Sequence, residues 1–224
     1  IFPGEVANEL QATGKAIPRH LENVSVLFTD FKGFTAIDEK LTPEEGVEEL
    51  NSCFMAFDNI VDKCNLEKIK TIGDSYMCAG NIPTSDKDHV CNIIKASLDM
   101  LRFMERYNSD RISKNLPVWD IRIGVHVGPV VAGIVGTKKY AYDIWGSTVN
   151  IASRMESNGA PGLVNISAAT YEQVKNDYTC NYRGKIYAKN VGDIDMYFVS
   201  TEQIKYENPT VPSVIAQPLK AKIL

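Results

Sequence analysis

Asp30 and Asp74 are the residues whose setting first suggests chemistry. Asp30 closes the apolar run from Val24 to Phe28 and opens onto Lys32-Gly33-Phe34-Thr35, a strand feeding a glycine-containing turn. Asp74 sits in Ile72-Gly73-Asp74, a tight joint between two strand-like segments, Leu66 to Thr71 and Ser75 to Ala79. Two carboxylates at one place form a hard-oxygen site for Mg²⁺ or Mn²⁺. These ions hold triphosphates through one or two protein carboxylates plus phosphate oxygens. The loop through Gly33, Phe34 and Thr35 can aim backbone N–H groups at the same phosphates. Either aspartate alone reads as well as a strand end or a turn residue. The metal reading requires that the fold bring them together.

A second pair is Asn150 and Arg154, four residues apart and on one face of a helix, with arginine supplying a planar cationic fork for phosphoryl oxygens. On spacing alone a solvated helix surface is the commoner explanation for such a pair. Ile151, Ala152 and Met155 form the side of that helix expected to be buried.

The elements that must position these groups follow from patterning. Thr42-Pro43-Glu44-Glu45 is a capping-box start with proline at the first helical position. The helix runs to about Cys64 with Val47, Leu50, Phe54, Phe57, Ile60 and Val61 on one side. A second helix is expected with Ser85 as N-cap and Asp88 at N3. Ile121, Ile123, Val125 and Val127 alternate with Arg122, Gly124 and His126, which predicts a strand. A glycine-punctuated stretch then leads to Gly136. Beyond it come a strand at Tyr142 to Ile144, a helix at Ser147 to Ser157, a strand at Val164 to Ile166, and a short helix capped by Ser167. Strands near Tyr178 to Ile186 and Met196 to Val199 complete the order.

The resulting fold class is α+β, a ferredoxin-like βαββαβ core with a C-terminal α/β extension. Right-handed crossovers place the third strand between the first and second in an antiparallel sheet, with both helices on one face. The second strand then runs parallel to the first, so Asp30 and Asp74 lie at the same end. Residues 1–17 read as a lead-in, with a short helix from Pro3 to Leu10 whose Val6, Ala7 and Leu10 face inward. Residues 18–204 read as the catalytic domain and 205–224 as an extended, proline-containing tail.

Composition sets limits. The 224 residues are 44% hydrophobic and 23% charged, enough for one ordinary core, and the formal net charge of -4 offers no basic field for a nucleic acid. Five cysteines without C-x-x-C spacing read as reduced thiols of a cytoplasmic protein, with Cys53 and Cys64 as core residues. The three histidines are dispersed, and His126 reads as structural. No apolar run reaches the ~18 residues of a membrane helix, so no membrane contact is expected of this segment. The first residue is Ile1, which reads as a processed product or a piece of a longer protein; a membrane anchor or sensor upstream is compatible with that.

Four segments together carry a family resemblance: VLFTDFKGFT at 26–35, EKIKTIGDSYM at 67–77, RIGVHVGPVVAG at 122–133 and YDIWGSTVNIASRM at 142–155. The chain resembles the class III nucleotide cyclases over about Pro18 to Ser200, in order. This family contains animal adenylyl and guanylyl cyclases and many bacterial signalling cyclases, and the homodimeric bacterial adenylyl type is the nearest in pattern.

The resemblance implies roles. Asp30 and Asp74, with the backbone carbonyl of Phe31, match the ligands of two divalent cations, Mg²⁺ or Mn²⁺. One ion activates the ribose 3′-hydroxyl and the other holds the triphosphate. Arg154 matches a transition-state arginine, Asn150 a ribose-orienting asparagine, and Lys189 a lysine for the terminal phosphates, although Asn190 and Val191 depart from the usual glycine and lysine. Lys70 and Asp143, with neighbouring Ile144, match the base site. Adenine presents an acceptor at N1 and a donor at N6, which a cation and a carboxylate complement; guanine presents the reverse. Guanylyl cyclases typically carry glutamate and cysteine at these two positions. The implied activity is conversion of ATP to cyclic AMP and pyrophosphate. Each site takes metal aspartates from one subunit and Lys70, Asp143, Asn150, Arg154 and Lys189 from the other, so one kind of chain suffices for a head-to-tail homodimer. An upstream regulatory module is a further implied partner. A guanylyl cyclase is the nearest rival, and a silent nucleotide-sensing module a second. The glycine-glycine-acidic hairpin of a diguanylate cyclase is absent.

Overall fold

The computed structural model describes residues 3–32, 42–136, 140–188 and 191–203. In chain order the elements are α1 (Gly4–Thr13), β1 (Arg19–Phe31), α2 (Pro43–Lys63), β2 (Glu67–Ile72), β3 (Ser75–Gly80), α3 (His89–Ser113) and β4 (Ile121–Val135). They continue as β5 (Ala141–Trp145), α4 (Ser147–Ser157), β6 (Val164–Ser167), α5 (Ala168–Val174), β7 (Tyr178–Ala188) and β8 (Gly192–Gln203). The strands form one sheet in the order β2-β3-β1-β4-β6-β8-β7, with β5 paired to β4. All described pairings are antiparallel except β4 with β6. The first four strands reproduce the expected arrangement, with β3 between β1 and β2. The chain's α+β class is therefore as its patterning predicts.

Alternation along the strands creates two main cores, beside a small third cluster of Ile151, Met155, Ile194 and Met196. Leu27, Tyr76, Cys78, Ile121, Ile123 and Val125 belong to one, with Cys53, Phe57 and Val61 of α2 and Ile94 and Leu98 of α3. Val26, Phe28, Met77, Ala79, Val130 and Ala132 belong to the other, with Ile144 of β5 and Ala152 of α4. So α2 and α3 share one face as expected, while α4 and β5 cover the opposite one.

Local chemistry starts the helices. Thr42 Oγ1 accepts from Glu45 N–H at 3.2 Å while Glu45 Oε2 accepts from Thr42 N–H at 2.8 Å, a capping box of the kind that contributes ~1 kcal/mol. The start of α3 differs from the expectation. Its N-cap is Asp88 and not Ser85, because Asp86 organises the preceding turn. The Asp86 carboxylate accepts from the Asp88 N–H at 2.9 Å and from the Asn65 and Asn92 side chains, both at 3.0 Å. The glycine-punctuated stretch after Gly128 is strand: β4 continues to Val135, where pairing with β5 satisfies its backbone.

At the N-terminus α1 is longer than anticipated. Val6 is buried and Ala7 and Leu10 are half-buried, as an inward face requires. Glu9 closes the lead-in onto the domain by accepting from Ile17 N–H at 3.0 Å and pairing with Arg19 at 2.8 Å. Cys53 and Cys64 are core residues, all five cysteines are free thiols, and no described helix is long and apolar enough to cross a membrane.

Candidate active site

Asp30 is fixed from behind by its neighbour Phe31. That ring is 2% exposed and lies edge-on to Trp119 at 5.2 Å and stacked on Phe57 at 6.4 Å, so the end of β1 cannot drift. Thr29 pairs with Tyr76, which brings Asp30 beside the β2–β3 turn, and Ser75 Oγ donates to Asp30 Oδ1 at 2.7 Å. The turn itself needs a positive φ next to Asp74, and Gly73 supplies it at 60°. Burial and the nearby Asp30 charge push the Asp74 carboxyl above its ordinary range, with Arg122 pulling it down. The two aspartates therefore occupy one end of the sheet and feel each other's charge.

This like-charged pair fits a divalent cation. Among the described residues no group of three or more His, Cys, Asp or Glu side chains could hold a metal unaided. A cation here would thus use the two carboxylates, the adjacent Phe31 carbonyl, and oxygens of water or a ligand.

Arg122 was not among the expected site residues, although it faces Asp30 directly across the β1–β4 ladder. Its Nη2 is 2.8 Å from Asp30 Oδ2 and its Nε is 2.9 Å from Glu156 Oε1 of α4. Burial pushes the Glu156 carboxyl up to about 7 against the pull of Arg122, with Asp30 and Asp74 adding to the rise. The only signal in the sequence was position: Arg122 begins the polar face of a strand that had to pair with the strand ending in Asp30.

Lys70 and Asp143, 73 residues apart, meet with Nζ 2.5 Å from Oδ2. The other carboxylate oxygen, Oδ1, accepts from the Ile144 N–H at 2.8 Å. A bulge makes this possible. Between Lys68 and Lys70 the β2–β3 register slips, with Lys68 opposite Cys78 and Lys70 opposite Met77. Lys68 accordingly reaches Asp58 of α2 at 2.7 Å, where Tyr76 Oη also donates at 2.7 Å and pins the hairpin to the helix.

Asn150 and Arg154 are exposed on α4, while Ile151, Ala152 and Met155 are buried, as the spacing predicts. Gly124 is the reason α4 lies flush on β4. A Cβ at that position would stand 1.9 Å from the Glu156 backbone nitrogen. Asn165 Nδ2 then ties the helix down by donating to the Met155 carbonyl at 2.7 Å. Tyr142 is half-buried against the second core and Trp145 is 39% exposed. The expectations at Gly33, Phe34, Thr35, Lys189 and the tail 205–224 lie outside the described residues.

Comparison with known proteins places this geometry. The chain is 39% identical over 219 residues to guanylyl cyclase C of Cavia porcellus, covering 96% of this chain and 20% of that protein. It is 36% identical over 200 residues to an adenylate cyclase of Mycobacterium tuberculosis, covering 89% of this chain and 44% of that one. The chain thus spans a fifth of the first relative and under half of the second. In structure it resembles the adenylyl cyclase CyaB from P. aeruginosa, with a TM-score of 0.78 at 26% identity over 82% of this chain and 96% of the other. Relatives with either base specificity match, so the choice of base rests on the site residues. The family model of the adenylate and guanylate cyclase catalytic domain matches residues 17–201, and the chain belongs to that family.

Proposed function

We propose that this domain is an adenylate cyclase that converts ATP to 3′,5′-cyclic AMP and pyrophosphate at sites shared between two copies of the chain. The observation that carries the choice of base is the Lys70–Asp143 pair. An ammonium has three donors and a carboxylate about four acceptor positions, so the pair retains capacity for a ligand. Lys70 donates to adenine N1, and Asp143, held by the Ile144 N–H, accepts from the N6 amino group. Against guanine the same groups oppose donor to donor and acceptor to acceptor. A guanylyl cyclase is the second reading, favoured by the 39% identity to a guanylyl enzyme.

Asp30 and Asp74, with the Phe31 carbonyl, would hold two divalent cations, Mg²⁺ or Mn²⁺. When bound, such ions make the ribose 3′-hydroxyl a better nucleophile and offset charge on the triphosphate. The 3′-oxygen forms its bond to the α-phosphorus as the bond to the bridging oxygen of the β-phosphate breaks, and the hydroxyl proton is released. Asn150 orients the ribose, Arg154 stabilises charge on the phosphoryl oxygens, and Lys189 with the Gly33–Thr35 backbone grips the outer phosphates.

The free, exposed Asn150 and Arg154 have no side-chain partner among the described residues, which suits contribution to a neighbour's site. Asp30 and Asp74 of one subunit would face Lys70, Asp143, Asn150 and Arg154 of another, in a cytoplasmic head-to-tail homodimer. A regulatory module upstream of α1 would act by changing the relation of the two subunits. Purified domain with Mn²⁺ and either ATP or GTP tests the reading: selective cyclic AMP formation is expected, and selective use of GTP overturns the base assignment. A dimer that makes no product from saturating Mn²⁺ and ATP would instead be a nucleotide-sensing module.

A further inference from the structure

Arg122 stands between two carboxylates of different kinds. On one side its Nη2 meets Asp30 Oδ2 at 2.8 Å, and Asp30 has a second claimant if a divalent cation binds there. On the other side its Nε is 2.9 Å from Glu156 Oε1, a side chain only 9% exposed with no other cationic partner among the described residues. Its Nη1 reaches the Ser157 carbonyl at 3.4 Å. Although Nε and Oε1 are close, both are buried and neither has a well-directed hydrogen bond, so their contact is an unaligned ion pair. Buried polar atoms left in this way call for a physical reason. The directed hydrogen bond of this guanidinium goes to Asp30, at 2.8 Å from Nη2.

We propose that Glu156 is a positioning residue, which retains the Arg122 guanidinium when a divalent cation claims Asp30 and thereby makes room for that cation. The inference rests on the metal reading of Asp30 and Asp74. A cation arriving at Asp30 repels the guanidinium. With Glu156 in place, a small rotation keeps Arg122 paired and aligns Nε with Oε1. Without it, the carboxylates left near Arg122 among the described residues are Asp30 and Asp74, the proposed metal ligands, and the arginine competes with the metal. The carboxylate is well mounted for this task, because the close approach at Gly124 and the Asn165 bond to Met155 fix its backbone against β4.

Mn²⁺ binding, read from the loss of the free-ion paramagnetic resonance signal without nucleotide, tests this separately from turnover. Above neutral pH, Glu156→Gln is expected to weaken Mn²⁺ binding ~5-fold or more, the scale of coupled charged neighbours. Arg122→Gln should tighten it. On the Arg122→Gln background the further change Glu156→Gln should have less than about a 2-fold effect, since its route of action is gone. Glu156→Asp, which keeps the charge but withdraws the carboxylate by one methylene, should resemble Glu156→Gln and carries the test if that variant does not fold. An equal loss with and without Arg122 would overturn the proposal in favour of simple charge removal, as would unchanged affinity in folded Glu156 variants. Failure of the unaltered protein to bind Mn²⁺ would instead remove the metal reading.

Discussion

Lys68 and Lys70, two residues apart on β2, form ion pairs on opposite sides of the sheet: Lys68 with Asp58 of α2, Lys70 with Asp143 of β5. In a regular strand they would share a face. The register slip between them separates a lysine that anchors the hairpin to α2 from the one that meets Asp143, the proposed base-reading pair. Replacing Lys70 by Glu together with Asp143 by Cys reverses the donor and acceptor order. The double variant is expected to lose about 100-fold or more in kcat/KM for ATP and to gain turnover of GTP. Lys68→Met should leave base preference as it was. Steady-state rates with each nucleotide decide the matter, and an unchanged preference in the folded double variant would remove the base assignment.

Shared sites predict complementation. Asp30→Ala and Arg154→Ala should each fall below ~1% of the original activity, since each removes a group acting on transition-state charge. Mixed in equal amounts and allowed to exchange, random pairing makes about half of the dimers hybrids with one intact site, so activity should recover to roughly a quarter. No recovery, with hybrid dimers demonstrated by mass spectrometry, would exclude the shared arrangement.

Much of the scaffold was legible because it depends on near neighbours. The Thr42 capping box, the buried side of α4 and the strand-order argument that joined Asp30 to Asp74 each follow from periodicity or local hydrogen bonding. The parts that were not legible depend on distant partners. Asp88 and not Ser85 begins α3 because the Asp86 carboxylate, which organises the preceding turn, accepts a hydrogen bond from Asn65 Nδ2, 21 residues away. The slip at Ile69 leaves no mark in the hydrophobic pattern. Arg122 looked like one polar residue among alternating apolar ones, and only its registration opposite Asp30 reveals its place in the site. Gly124 gave no sign that a helix would lie on it.

That glycine supports a direct test of how α4 is positioned. In Gly124→Ala the new methyl would stand 1.9 Å from the Glu156 nitrogen and 2.5 Å from the Met155 carbonyl carbon, both backbone atoms. The helix must therefore move as a unit, carrying Arg154 and Glu156 with it. The expected cost is roughly 3 kcal/mol of stability by the scale of overpacked cores. Residual folded protein should lose turnover about 100-fold through displacement of Arg154 on the order of 1 Å. Calorimetry and kinetics at a temperature where the variant is folded would check both; normal turnover would show that α4 is not a rigid mount.

His126 gives a pH prediction with a definite sign. Its ring is buried, Nδ1 lies 2.6 Å from Ser167 Oγ, and burial pushes its pKa from 6.5 down to about 4. Above pH 6.5 the ring is neutral in both folded and unfolded chains and costs nothing. As pH falls through 6.5 the unfolded chain takes up a proton that the folded one refuses, so stability declines until about pH 4. The full difference is roughly 3 kcal/mol. Glu156 acts in the opposite direction: its raised pKa means that the folded chain binds the proton first as pH falls from about 7. The total pH dependence therefore mixes these with other shifted groups, His89 among them, whose burial also lowers its pKa, and His126 must be isolated by comparison. Urea unfolding of the protein and of His126→Gln across this range should show the variant losing less stability than the parent on acidification. Parallel curves would mean that the buried ring accepts its proton without unfolding.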